Sequence, residues 1–242
     1  MQSQPPPQSQ PPTQTQPQPG AGADSTWTTA PSLPALLGDE TFVGTAEPFT
    51  VLDFWRYAMP DLRTNTTRGL LAEFLVHRAL GAQVRNQEWD SFDVLTPDGL
   101  RVEVKSSAYV QAWDQRSPSA IRFGRLRGRV WTPQGGGAEA PTFNADVYVF
   151  ALHSAPDHDS YNPLDIGQWL FHVLPAPRVE ALGQASLGLT ALRRLSGDPV
   201  PYAELAPRVR AADPRPARAG TPEVTAPAPA STSPKPTSPP GR

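Results

Sequence analysis

The stretch 92-FDVLTPDGLRVEVKSS-107 decides the fold, because it reads as two short strands joined by a tight turn. The loop 97-PDG-99, with its glycine in the left-handed region, predicts a three-residue hairpin connection. In the resulting register Asp93 lies opposite Glu103. Like charges that face each other across a sheet repel, so this hairpin needs a reason to place two carboxylates side by side.

The two faces of the predicted hairpin differ sharply in polarity, following the period of two of a β-strand. One face is apolar and holds Phe92, Val94, Leu100, Val102 and Val104. The other face is charged, with one apolar residue, and holds Asp93, Leu95, Arg101, Glu103 and Lys105. A two-residue loop would mix the faces, so we expect the three-residue loop.

The charged face admits two interpretations. Two carboxylates held close together share a proton or require a cation, and Mg²⁺ commonly takes one or two protein carboxylates together with substrate phosphate. Lys105 can stabilise the negative charge that develops on a phosphate, which points to metal-assisted hydrolysis of a phosphodiester. The alternative is a solvent-facing hairpin in which Lys105 and Arg101 neutralise Asp93 and Glu103.

Helical and apolar segments surround the hairpin along the chain. We expect helices over 48–58 and within 61–81, the second capped by Asn65 or Thr66 and ended by Gly81. A strand pair is predicted around 119–132, strands over 145–152 and 169–174, and short helices near 177–182, 188–195 and 202–210. This order indicates an α/β protein, specifically an α+β sandwich with a mixed sheet flanked by helices.

Composition predicts one folded domain between two tails. Residues 1–39 are rich in Pro and Gln and residues 211–242 in Pro and Ala, so we expect both tails to be disordered and the domain to span 40–210. The absence of cysteine excludes disulfides and thiolate metal sites. We expect a soluble, cytoplasmic protein without a membrane partner, because we find neither a secretory signal nor a run long enough to span a bilayer.

The formal net charge of −2 conceals a basic segment, since seven cations and two anions fall between positions 101 and 131. Such a segment can bind phosphates or be an ordinary solvated face. The candidate phosphate contacts are Arg122, Arg125, Arg127 and Arg129. We expect Trp113 and Trp131 to pack rather than to stack on bases.

Three other polar groups carry weaker signals. Glu73 and His77 form a polar strip on the second helix, which indicates a partner for the carboxylate. Asp146 is expected to cap or to pair with an arginine rather than to join the acidic site. The segment 153-HSAPDHDSY-161 contains potential zinc ligands, but a solvated loop is the favoured interpretation.

Asp93, the hairpin and 103-EVK-105 resemble the PD-(D/E)XK nuclease superfamily, whose fold is restriction-endonuclease-like. The resemblance covers roughly residues 66 to 152, and the acid follows Phe92 where the motif has proline. The wider pattern N-x-x-R-G-x-x-A-E, from Asn65 to Glu73, followed by E-V-K-S-S-x-x-x-Q-x-W, resembles an uncharacterised bacterial branch of this superfamily.

The resemblance implies a Mg²⁺- or Mn²⁺-dependent endonuclease acting on DNA, with RNA not excluded, in defence or repair. Asp93, Glu103 and the Val104 carbonyl would bind the metal, Glu73 would bind it through water or a second ion, and Lys105 would orient the attacking water. Gln111 would position one of these groups or the substrate, or else be a surface amide. Members of the superfamily often dimerise. The rival hypothesis is an inactive nuclease-like module that binds nucleic acid or a protein partner.

Overall fold

A computed structural model of the chain describes residues 33–82, 91–128 and 140–216. The chain divides into two compact units, with the boundary between Phe54 and Trp55. The first unit contains an antiparallel bridge between Thr41 and Thr50. The boundary falls inside helix α1 (Val51–Ala58), which the sequence predicted. The predicted tails lie mostly outside the described residues, and their bounds stay predictions.

Local capping fixes the ends of helix α2 (Asn65–Leu80). Gly81 ends the helix in the left-handed conformation, at φ 63°, as predicted. The predicted N-cap was wrong, because Thr64 caps the helix by accepting from the Thr67 N–H at 3.2 Å. The Asn65 side chain is already engaged, since its oxygen accepts from Arg68 at 2.5 Å.

The hairpin forms in the predicted register. Strand β1 (Val94–Leu95) pairs antiparallel with β2 (Arg101–Ala108), so that Val94 faces Val102 and Leu95 faces Arg101. Gly99 has φ 80°, and its N–H donates to the Thr96 carbonyl at 2.8 Å. The turn chemistry therefore sets which side chains of β2 share a face.

The main sheet has the mixed topology that the sequence predicted. Its strand order is β1-β2-β4-β5, with β4 (Val147–His153) parallel to β2 and β5 (Trp169–Pro175) antiparallel to β4. Every residue of β4 is buried, as its apolar run indicated. The fold belongs to the α+β class.

A second, two-stranded sheet corrects one prediction. Strand β3 (Arg122–Gly124) has no partner strand within 119–132 among the described residues of that segment, and pairs antiparallel with β6 (Ser186–Gly188). The sequence missed β6 because three residues are too short to establish an alternating pattern. The three short helices are confirmed as α3 (Ala176–Glu180), α4 (Leu189–Ser196) and α5 (Tyr202–Ala211).

Two apolar cores cover the two faces of the main sheet. On the face that we call the α2 side, α2 and α5 pack against side chains that include Val102, Val104 and Val149. On the opposite face, the β3 side, Phe123 and Leu187 of the small sheet pack with Tyr148, Phe150 and Leu192. Because side chains alternate along a strand, Glu103 and Lys105 project to the β3 side. Phe92 also packs on the β3 side, so its predicted place beside Val94 was wrong.

Two glycine substitutions test the turn and the helix against each other. Gly99→Ala should lower the free energy of unfolding by about 1 kcal/mol, because an L-residue is strained at this φ. Gly69→Ala should raise it by about 1 kcal/mol, since Gly69 lies in α2 with open space around the added methyl. Denaturant unfolding of both variants measures the difference, and shifts in the same direction would contradict this account of the hairpin.

Candidate active site

The structure brings together three of the predicted site residues, Asp93, Glu103 and Lys105. The Lys105 ammonium contacts Glu103 Oε1, with 19% of the lysine side chain and 14% of the glutamate side chain exposed. Asp93 is half-buried, and its Oδ2 accepts from the Val104 N–H at 2.7 Å. The site is therefore a partly desolvated group of two acids and one base.

The shortness of β1 explains why Asp93 can hold this position. The β1–β2 ladder ends at the Val94–Val102 pair, and the Asp93 N–H donates to the Val102 carbonyl at 3.1 Å. If β1 were longer, one of its backbone carbonyls would accept from the Val104 N–H. Because β1 is short, the Asp93 carboxylate accepts from this N–H instead. Because the N–H and C=O of one strand residue project to the same side, the Val104 carbonyl also points toward this edge of β2.

Burial disfavours the ionised form of both acids, and at Glu103 the charge of Asp93 adds to the effect. Burial, and after it the Asp93 charge, raise the pKa of Glu103 to about 7, although Lys105 opposes the shift. Burial also raises the pKa of Asp93, against the effects of Lys105 and the Val104 N–H. One lysine thus does not neutralise two partly buried carboxylates, and the two acids would be stabilised by further positive charge.

The neutralised-hairpin interpretation is only half right. Lys105 pairs with Glu103. Arg101 instead pairs with Asp146, and its Nη2 lies 2.7 Å from Asp146 Oδ1. The Arg101 backbone N–H also donates to Asp146 Oδ2 at 2.9 Å. Asp146 therefore pairs with an arginine, as predicted, and removes that cation from the two acids.

Glu73 belongs to α2, the helix that packs on the α2 side of the sheet. It is half-buried on α2, whereas Glu103 projects to the β3 side of the sheet. Within residues 33–82, 91–128 and 140–216, no three acidic or histidine side chains are arranged to hold a metal. The role of Glu73 in metal binding stays a prediction.

Gln111 lies three residues after the end of β2 and is only 6% exposed, so the surface-amide alternative was wrong. Its Oε1 accepts from Arg68 Nη1 at 3.2 Å, and its Nε2 donates to the Ala108 carbonyl at 2.9 Å. These contacts join α2 to the last residue of β2. The predicted catalytic role of Gln111 stays a prediction.

The candidate phosphate contacts are exposed and lie in the layer that covers the β3 side. Phe123 anchors β3 on Phe150, with ring centroids 5.2 Å apart, while Arg122, Arg125 and Arg127 are exposed. Arg129 lies outside the described residues.

The contacts of these arginines leave their charge available. Arg122 Nη1 donates to the Ser186 hydroxyl at 2.7 Å, and Arg127 Nη2 donates to the Gly183 carbonyl at 2.9 Å. The Arg127 guanidinium also lies 5.1 Å from the centre of the Phe143 ring. Since these contacts involve a hydroxyl, a carbonyl and a ring, they do not cancel the positive charge.

Two further predictions need correction. Trp113 is 55% exposed rather than packed, and Trp131 lies outside the described residues. His153 belongs to β4 and is fully buried, with its ring stacked on Tyr161 at 4.1 Å, so the solvated-loop interpretation fails for this residue. The exposed Asp157 side chain instead accepts from Ser160 within its own loop.

The sequence suggested only a capping role for Asn65 and no role for Arg68, although both belong to the quoted N-x-x-R-G pattern. Arg68 is 4% exposed and donates to Asn65 and to Gln111. The spacing of three residues on a helix was the available signal, because it places both side chains on one face.

Residues 56–172 match the family model of bacteriophage T4 endonuclease IV. The match covers slightly less than half of the chain and contains α2, the hairpin, β3 and β4. The similarity supports a nuclease, while membership of the PD-(D/E)XK superfamily stays a prediction. No curated protein matches the chain. In the described part of the chain, no helix has both the length and the apolar character needed to cross a membrane.

The raised pKa of Glu103 predicts a pH-dependent stability. The folded state holds a proton that the unfolded chain releases above about pH 4.5, so wild type loses stability as pH rises from there through about 7. The glutamine of Glu103→Gln does not titrate. The free energy of unfolding of this variant should therefore rise relative to that of wild type by up to about 3 kcal/mol over this pH range. Denaturant unfolding with a chelator present measures the difference.

Asp146→Asn is the matched control of opposite sign. The paired Arg101 holds the pKa of Asp146 below its usual value against the effect of burial. This variant should therefore lose stability relative to wild type as pH rises toward about 4, the ordinary pKa of an aspartate, and the difference should stay constant above that pH. Parallel curves for wild type and Glu103→Gln would contradict the assignment of the raised pKa.

Proposed function

We propose that this protein is a Mg²⁺- or Mn²⁺-dependent endonuclease that hydrolyses phosphodiester bonds in DNA. The observation that carries the proposal is the convergence of Asp93, Glu103 and Lys105 on one partly buried edge of β2. The match to an endonuclease family over residues 56–172 supports the same reaction class. The PD-(D/E)XK resemblance adds the metal, and a role in defence or repair rests on that resemblance alone.

The donor set suits a hard divalent cation. Burial raises the pKa of both carboxylates, and the Asp93 charge adds to the shift of Glu103, so a cation beside them would favour their ionised forms. Asp93, Glu103 and the Val104 carbonyl would hold it, since oxygen donors are the ligands that Mg²⁺ and Mn²⁺ prefer. When bound, such an ion lowers the pKa of an attacking water and neutralises phosphate charge.

The residues of the chain supply position and charge. The Val104 N–H fixes one Asp93 oxygen and leaves the other for a second partner. The Lys105 ammonium has three donors and uses one on Glu103. It can therefore also donate to the attacking water or to a phosphate oxygen, where it would stabilise the charge that develops in the transition state.

The exposed arginines of β3 and the residues after it would hold the nucleic-acid backbone. They lie on the side of the sheet to which Glu103 and Lys105 project, so one strand could contact both groups. Contacts to phosphates give affinity without base specificity. We propose DNA as the substrate, keep RNA as the alternative polymer, and propose a cytoplasmic location, with a dimer as one way to cut both strands.

Lys105→Ala tests the enzyme directly, and the chain offers a matched control because its only other lysine is Lys235. Lys105→Ala should slow Mg²⁺-dependent cleavage by at least about 100-fold, since it removes a charged donor at the reacting phosphate. Lys235→Ala should cleave like wild type. Supercoiled plasmid, single-stranded DNA and RNA are compared side by side with Mg²⁺, Mn²⁺ or chelator.

Two outcomes would contradict this proposal. Wild type that cleaves none of these substrates with either ion would favour the inactive binding module. Cleavage by Lys105→Ala at the wild-type rate would show that another group carries the reaction. Asp93→Asn and Glu103→Gln should also lose activity, because each removes a carboxylate from the metal site.

A binding experiment tests the basic layer separately from catalysis. In the inactive Lys105→Ala background, Arg122→Gln and Arg127→Gln should each weaken DNA binding and lower the slope of log affinity against log salt by about 1. Arg208→Gln is the control, since Arg208 lies on α5 at the α2 side and donates to the Ser196 carbonyl. Equal salt slopes in all variants would contradict a phosphate contact by Arg122 and Arg127.

A further inference from the structure

One buried side chain connects the acid pair to the exposed arginines. Tyr148 of β4 is the register partner of Glu103 in β2, and both side chains project to the β3 side. Tyr148 is 1% exposed, and its hydroxyl donates to the Leu126 carbonyl at 3.0 Å. Leu126 stands between Arg125 and Arg127 in the chain. This hydrogen bond therefore joins the residue beside Glu103 to the backbone that carries two of the arginines.

The backbone after β3 departs from a regular strand at Arg125. Its φ of 54° lies in the left-handed region, where a residue other than glycine is strained. Regular alternation from the buried Phe123 would turn residue 125 inward and residue 126 outward. The left-handed residue resets this alternation, so that Leu126 is buried while Arg125 and Arg127 are both exposed. We call residues 125–127 the arginine turn.

A strained backbone conformation persists only where the surrounding contacts hold it. At the centre of the arginine turn, the Leu126 N–H donates to the Ala185 carbonyl at 3.3 Å, and the Leu126 carbonyl accepts from the Tyr148 hydroxyl. Burial, and after it the Glu103 charge, raise the pKa of Tyr148. The phenol therefore stays protonated at neutral pH and remains a donor to the turn.

The Tyr148 ring makes a second connection to the arginine turn. It contacts the Phe143 ring edge to face, with 6.3 Å between the centroids, and the Arg127 guanidinium lies 5.1 Å from the centre of the Phe143 ring. These ring contacts do not involve the hydroxyl. Tyr148→Phe therefore keeps them, should fold, and isolates the effect of the hydrogen bond to Leu126.

We propose that Tyr148 is a positioning residue whose hydroxyl fixes the arginine turn relative to the acid pair, so that a nucleic-acid strand at Lys105 meets both exposed arginines of the turn. The inference rests on the proposed function, because it concerns how a strand is held on that site. Arg122 provides a contrast within the same layer, since it is placed by the pairing of β3 with Gly188 of β6.

Binding of a fluorescent duplex oligonucleotide to the full chain in the inactive Lys105→Ala background tests this connection. Tyr148→Phe should weaken binding about fivefold, the effect of losing one buried hydrogen bond. With Tyr148→Phe present, Arg127→Gln should weaken binding by a smaller factor than it does alone, because the arginine turn is already displaced. Arg122→Gln should weaken binding by the same factor with and without Tyr148→Phe.

Cleavage kinetics of the active chain separate positioning from catalysis. Tyr148→Phe should raise KM about fivefold and leave kcat within about twofold of wild type, because phosphate contacts away from the reacting bond act equally on the ground state and the transition state. Ser154→Ala is the matched control, since its hydroxyl also donates to a main-chain carbonyl, that of Gln168 at 2.9 Å, just past the far end of β4. This variant should keep the wild-type KM and kcat.

Three outcomes would overturn the inference while wild type still cleaves DNA, and so leave the proposed function intact. The first is a Tyr148→Phe variant with wild-type affinity and KM. The second is a fall in kcat at unchanged KM, which would place Tyr148 at the reacting atoms. The third is an equal loss in Ser154→Ala, which would indicate a general loss of stability. Wild type that neither binds nor cleaves nucleic acid would overturn the proposed function and this inference together.

Discussion

Two carboxylates held against one another in a partly buried place constrain this molecule more than any other feature. Burial raises the pKa of both Asp93 and Glu103, the Asp93 charge raises that of Glu103 further, and the one lysine beside them does not offset these effects. Arg101, which the sequence offered as a second counter-charge, is committed to Asp146. A site that supported only the fold would be more stable with one of these acids replaced, so the presence of both fits a group that receives a cation.

The rest of the fold holds this pair in place. Strand β4 is buried along its whole length and fixes the parallel neighbour β2, whose side chains then alternate between the two cores. The short β1 leaves the Val104 N–H to the Asp93 carboxylate. The small sheet is anchored on the same face through Phe123, which brings exposed arginines to the side where the acids project. These placements follow because side chains alternate between the two faces along β2, and the turn at 97–99 sets the register of that strand.

The sequence was most informative where a local rule acts alone. The turn at 97–99 predicted the register, the apolar run predicted β4, and Gly81 predicted the end of α2. It failed where distant groups compete. Thr64 caps α2, while the Asn65 side chain accepts from Arg68, and β3 finds its partner in a strand too short to show a pattern. The buried contact of Gln111 with Arg68 joins residues 43 positions apart. The spacing of residues along the sequence does not predict a contact over that separation.

The central claim is that the acid pair binds a divalent cation in exchange for a proton. Calorimetric titration of the chain with Mn²⁺ near pH 6.5, repeated in buffers of different ionisation enthalpy, measures both binding and proton release. We expect saturable binding with release of a proton by wild type, because Glu103 is largely protonated there, and no such release by Glu103→Gln. Absence of saturable binding by wild type, or identical proton release by the two proteins, would contradict the account.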